Sequence, residues 1–192
     1  MDFQVPEGTE QIVWIRGKLG EPTASLVFLL WTGEGWKKSK VEIPVWIGRN
    51  GLIHPDLKRE GDGHTPAGVY PIERIFGKGK RSLKTFPYRE IKKSYHWTDR
   101  IDSLNYNQLI LYKERGATSL WNSPLYEIML VVEYNTKPSV PGLGSMIFLH
   151  VWEEAAPTSG CVGMPKKDLE SLISALDSRK NPHIVIEFTD GI

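Results

Sequence analysis

The chain holds one cysteine, Cys161, within Thr158-Ser159-Gly160-Cys161-Val162-Gly163-Met164, and a histidine, His150, eleven positions before it. A lone thiol excludes an intramolecular disulfide and any multi-cysteine zinc site. A thiol and an imidazole brought together make a nucleophile and its base, the minimum equipment for cysteine acyl transfer. Gly160 and Gly163 flank the Cys161-Val162 pair and leave room for a substrate backbone to approach. The oxyanion of a tetrahedral intermediate needs fixed donors. The backbone N–H groups of Gly160 and Cys161 are the nearest, worth about 3 kcal/mol each at comparable sites. The imidazole needs an orienting partner, and the Val151 carbonyl stands next to it in sequence. The competing reading is a buried cysteine in a turn, since cysteine is among the most buried residue types.

The elements that must position these groups are mostly strands. Short apolar runs rich in β-branched and aromatic residues alternate with Gly, Pro and Asn clusters. Strands are expected over 11–16, 25–31, 41–47, 68–72, 108–112, 126–134, 146–151 and 183–188. Pro44 removes a ladder donor, which predicts an edge strand there. The nearly all-apolar run 25–31 predicts burial on both faces. One amphipathic helix is expected over about 166–178, because Leu169, Leu172, Ile173 and Leu176 fall at i, i+3, i+4 and i+7. Pro165 suits its start, and Asn181-Pro182 follow its end. Beginning just after the cysteine loop, this helix should anchor that loop against the sheet. Its amino-terminal end is expected to face Cys161, where the macrodipole favours thiolate. The stretch 76–107 has little apolar periodicity and is expected to be a loop or lid.

Bulk composition narrows the function classes. The 192 residues fit one domain, 1–192, with 40% hydrophobic and 24% charged residues, a balance that fills a core. A net charge of +1 gives no electrostatic case for nucleic acid or an anionic membrane. The basic clusters Lys78 to Lys84 and Arg89 to Lys93 read as solvated surface. No apolar run reaches the ~20 residues of a transmembrane span. The Met1-Asp2-Phe3-Gln4 start lacks the features of a secretory leader, so either a leader is absent from this chain or the protein is cytoplasmic.

Four segments in order give the chain a family resemblance. His150 followed by Thr158-Ser159-Gly160-Cys161 resembles the active-site signature of the L,D-transpeptidase (YkuD-type) catalytic domain. Gly61-Asp62-Gly63-His64-Thr65-Pro66-Ala67-Gly68-Val69-Tyr70 is similar to that family's Thr-Pro-x-Gly segment. Asp102 to Gln108, and Tyr134-Asn135-Thr136 with Gly142 to His150, resemble one branch of it. Three positions depart from the pattern: Ser159 replaces a histidine found in many members, Gly163 an arginine or asparagine, and Val151 a glycine or serine.

The resemblance implies a mainly β catalytic domain, a β-sandwich or mixed sheets with the one helix. It implies Cys161 as nucleophile, His150 as base, and a thioester formed on a peptidoglycan stem peptide at an L-to-D amide bond, in the cell envelope. It implies no cofactor and no metal. The thiolate should also open the strained ring of a carbapenem. Gly160 counts with the catalytic pair, and Ser159, His96, Trp97, Tyr106 and Asn107 are the expected substrate contacts. Trp97 and Tyr106 offer flat faces, with core packing the bland alternative. Hydrolysis of the same bond by an L,D-carboxypeptidase or endopeptidase, including in muropeptide recycling, uses the same thioester. Two readings from other classes are zinc hydrolysis through Asp62, His64 and His150, and a non-catalytic cell-wall-binding module.

Overall fold

The computed structural model describes residues 4–38, 42–83 and 85–189. Val41, Lys84 and the Met1-Asp2-Phe3 start, each part of an expectation above, lie outside the described residues. Among those described, eleven strands form one mixed sheet. Ten of them run in the order Gly68–Pro71, His183–Phe188, Gln11–Gly17, Thr23–Trp31, Ile43–Trp46, Val162–Met164, Phe148–Val151, Ile128–Val131, Ile75–Gly77 and Tyr88–Glu90. The short strand Trp36–Lys38 pairs with Thr23–Trp31 off this path. The fold is mainly β with one α-helix, as the sequence predicts.

Alternation along the central strands separates two cores. Ile128, Leu130, Leu149, Val151, Val162 and Met164 point into the main core, where they meet the helix Lys166–Ala175 through Leu169, Leu172 and Ile173. Burying each of these helical side chains stabilises the fold by about 1.5–3 kcal/mol. The intervening residues Met129, Val131 and Phe148 point the other way, into a second cluster with Phe76, Ile91, Trp97, Leu120 and Tyr126. Cys161 packs against this second cluster. The helix therefore backs the sheet on the face opposite the thiol.

Several expectations change. Strand Ile43–Trp46 is internal, pairing with Thr23–Trp31 over four residues and with the cysteine strand only at Trp46↔Gly163. Pro44 is tolerated because the side its nitrogen faces lies beyond that single pairing. Burial of Thr23–Trp31 on both faces holds only for Leu26 to Leu29 at its centre. The helix stops at Ala175, and a 3₁₀ turn, Ser178–Lys180, follows with Asp177 accepting from the Arg179 N–H. The segment 76–107 is not a lid: it contributes strands Tyr88–Glu90 and His96–Trp97 and the fully buried Ile91 and Trp97. Its aromatic residues build the second core, which a periodicity test on short strands does not detect.

Candidate active site

Parallel pairing of Phe148–Val151 with Val162–Met164 sets Leu149 opposite Val162 and His150 opposite Gly163. Leu149 and Val162 both enter the main core, so Phe148, His150 and Cys161 lie on the other face. Cys161 and His150 are thus diagonal neighbours on adjoining strands. Cys161 sits at the wall of a cleft of about 270 Å³, with Tyr126, Met146, Ser159, Gly160 and Lys58 also lining it. The thiol is half-buried, whereas His150 is 2% exposed, tucked behind the cleft.

The imidazole is held on three sides. Its Nδ1 lies 2.8 Å from the Val151 carbonyl. A carbonyl only accepts, so Nδ1 carries the proton and Nε2 keeps its lone pair. Tyr126 and Trp152 pack on the ring edge-to-face, with centroids 6.0 and 5.6 Å away. Burial holds the imidazole pKa below the ordinary histidine value, against the opposing effect of the Val151 hydrogen bond. The ring is a neutral base with the correct tautomer.

The thiol is kept protonated. Burial pushes Cys161 up to about 11, opposed by the Phe148 N–H and the charge of Lys58. Its Sγ donates to the Met146 carbonyl at 3.1 Å. The helix does not lower this pKa: strand Val162–Met164 separates Cys161 from Lys166, a rise of about 3.3 Å per residue. The helix amino terminus instead takes the Glu153 carboxylate, which accepts from the Lys166 N–H at 2.9 Å.

The loop before the cysteine is pinned by Thr65 and Thr158. Thr65 Oγ1 donates to the Gly160 carbonyl at 2.8 Å and accepts from the Gly48 N–H at 2.9 Å. Thr158 Oγ1 donates to the Cys161 carbonyl at 2.6 Å and accepts from the Gly160 N–H at 3.1 Å. That second bond commits the Gly160 amide inside the loop. Gly160, at φ 146°, is needed because a Cβ there would lie 2.9 Å from the His64 carbonyl. On the side where that Cβ would stand, the space belongs to the Gly-Asp-Gly-His-Thr-Pro loop, while Gly160 also lines the cleft.

Gly163 has an equally local cause. A Cβ on it would sit 2.6 Å from Cβ of Trp152, which folds over the strand.

Of the expected substrate contacts, only Ser159 is exposed and lines the cleft. His96, Trp97, Tyr106 and Asn107 are buried. His96 Nδ1 meets the Ser94 carbonyl at 2.9 Å. Trp97 packs edge-to-face between Phe76 and Phe148 and donates from Nε1 to Asn107 at 3.1 Å. Tyr106 donates to Glu60, which lines the cleft, and accepts from the Gly144 N–H at 3.0 Å. Asn107 Oδ1 also accepts from the Met146 N–H at 3.0 Å, and Met146 in turn accepts from the thiol. Asn107 reaches the site through this chain.

Lys58, Glu60, Asp99 and Tyr126 line the cleft without having been singled out from the sequence. The legible signal for the first two was their place just ahead of Gly61-Asp62-Gly63. Asp62, His64 and His150 form no metal-capable group of three or more, nor do any other described residues.

The L,D-transpeptidase catalytic domain (YkuD) profile matches residues 22–185. The crystal structure of the helical cell shape determining protein Pgp2 from Campylobacter jejuni superposes with a TM-score of 0.52 at 16% identity, covering 95% of this chain and 49% of that one. Bd1075 of Bdellovibrio bacteriovorus gives a TM-score of 0.45 at 16% identity, covering 93% of this chain and 48% of that one. The chain thus spans about half the length of either solved structure. No curated protein sequence matches it. With the profile spanning most of its length and the cysteine and histidine strands inside the match, the chain belongs to the L,D-transpeptidase catalytic domain (YkuD) family.

Proposed function

We propose that the chain is a cysteine acyltransferase acting on peptidoglycan stem peptides at an L-to-D amide bond, in the cell envelope. The observation that carries this reading is the shared face of Cys161 and His150, with His150 Nδ1 locked onto the Val151 carbonyl. Nε2 of His150 takes the thiol proton as sulfur attacks the carbonyl carbon. The Cys161 N–H is the donor for the developing oxyanion, since the Gly160 N–H is bonded to Thr158. Collapse of the intermediate breaks the C–N bond. The imidazolium gives its proton to the departing D-alanine amine, leaving a thioester on Cys161. A diaminopimelate amine of a neighbouring stem then attacks the thioester, His150 accepts its proton, and a new amide forms as the thiol is restored. Water entering in place of that amine would release a tripeptide by the same steps.

The likeness to Pgp2, a helical cell shape determining protein, fits a wall substrate. The test is incubation with disaccharide-tetrapeptide, with and without an acceptor stem, read by mass spectrometry. Cross-linked dimer is expected, absent in Cys161→Ala and insensitive to a chelator. Tripeptide alone would reassign the enzyme as a hydrolase. Sacculus binding without turnover, unchanged in Cys161→Ala, would overturn the catalytic reading. A carbapenem is expected to add one adduct mass at Cys161.

A further inference from the structure

Two residues after the cysteine stands Gly163, which has no side chain to offer a substrate and is roofed by Trp152. The cleft nonetheless contains a cation. Lys58 lines it together with Cys161, although its side chain is only 3% exposed. Its ammonium donates to Asp62 Oδ1 at 2.6 Å and to the Arg59 carbonyl at 2.7 Å. An ammonium has three donors, so one is left for the cleft. Asp62 is itself held rigidly, with Oδ1 accepting from the His64 N–H at 2.9 Å and Oδ2 from the Arg59 N–H at 2.7 Å. Burial opposes its charge, but these donors keep its carboxyl below the usual carboxylate range, so Asp62 is ionised. Gly144 closes over the lysine: a Cβ there would lie 3.2 Å from Nζ. A flexible, strongly hydrated side chain has been immobilised and desolvated at the cleft that also holds the nucleophile. That arrangement suits recognition of an anion. Lys58 also lies near enough for its charge to act on the thiol.

Resting on the function proposed above, we infer that Lys58 is the donor-specificity residue: its free N–H binds the carboxylate of the residue that leaves on acylation, the terminal D-alanine. A charge-assisted hydrogen bond in a desolvated site discriminates about tenfold to a hundredfold against a ligand that lacks the charge. The contact would hold the scissile carbonyl at the sulfur and would be lost with the product, which favours release.

The test compares disaccharide-tetrapeptide with the same compound bearing a terminal carboxamide. With the wild-type protein, the carboxamide is expected to raise KM about tenfold or more with little change in kcat. In Lys58→Met the two donors should become equivalent, at the KM of the wild type with carboxamide, and Lys58→Arg should restore much of the preference. A merely structural lysine would lower activity on both donors alike. Equal KM values for the two donors with the wild-type protein would overturn the inference whether or not Lys58→Met folds. Should neither donor turn over, the function proposed above fails. Calorimetric binding of the two peptides to Cys161→Ala then still decides the role of Lys58: preference for the carboxylate supports it, and equal or absent binding refutes it.

Discussion

A thiol whose proton is held tightly can still be a good nucleophile when a base removes that proton during attack. Cys161 is in this position, with its pKa pushed up to about 11 by burial, while His150 is held neutral by its own burial. A resting thiolate–imidazolium pair is therefore not the ground state. Alkylation of Cys161 by iodoacetamide should be slow at neutral pH and rise about tenfold per pH unit, with no plateau below pH ~10. A plateau near pH 7 in the alkylation profile would mean that a preformed ion pair exists. The histidine has a stability consequence of opposite origin. Its folded pKa lies below the unfolded value of about 6.5, so the unfolded chain binds the extra proton first. The contribution of neutral His150 is complete above pH ~6.5 and is lost as pH falls through the folded pKa. The slope is at most about 1.4 kcal/mol per pH unit. His150→Gln should melt with a flatter pH dependence than wild type between pH 7 and 5, and parallel curves would refute the assignment.

At the scale of elements, the legible parts of the sequence were those with strong local pattern. The runs at 11–16 and 183–188 became strands, and the spacing of Leu169, Leu172 and Ile173 became a helix face. The Val151 carbonyl was a legible partner for His150 because one residue fixes both its place and its geometry. What the sequence hid depends on contacts between distant segments. Gly160 and Gly163 look like room for substrate, yet one is set by the His64 carbonyl and the other by the Trp152 side chain. Trp97, Tyr106 and Asn107 look like a binding surface because aromatic and amide groups serve either role, and only the fold buries them. The Gly163–Trp152 packing gives a direct check. Gly163→Ala should cost about 1–3 kcal/mol by overpacking. In Trp152→Gly the same change should cost markedly less, since both the Cβ and the ring that obstruct it are gone, so the two substitutions should be non-additive in a denaturant-unfolding cycle. Additive effects would mean that Trp152 does not rest on Gly163.

Over the whole molecule, the cleft draws on segments scattered along the chain: Lys58 with Glu60 and Gly61, Asp99, Thr118, Tyr126, 145–147 and 159–161. One buried amide ties three of the regions around it. Asn107, held at φ 55°, accepts from Trp97 Nε1 and from the Met146 N–H. It donates from Nδ2 to the carbonyls of Tyr134 and Asn135, at 3.2 and 2.6 Å. The second core, the 134–135 turn and the backbone that receives the thiol proton are therefore fixed by one side chain that is 2% exposed. Asn107→Leu would strand two buried N–H donors, each costing about 1–3 kcal/mol. A loss of roughly 3 kcal/mol or more is expected in denaturant unfolding. At temperatures where this variant stays folded, Cys161 should alkylate faster than in wild type, because the Met146 carbonyl is no longer held against the sulfur. The KM for stem peptide should change little, since Asn107 does not reach the cleft. If instead KM rises tenfold with stability and thiol reactivity intact, Asn107 contacts substrate directly and its buried position does not describe the working enzyme.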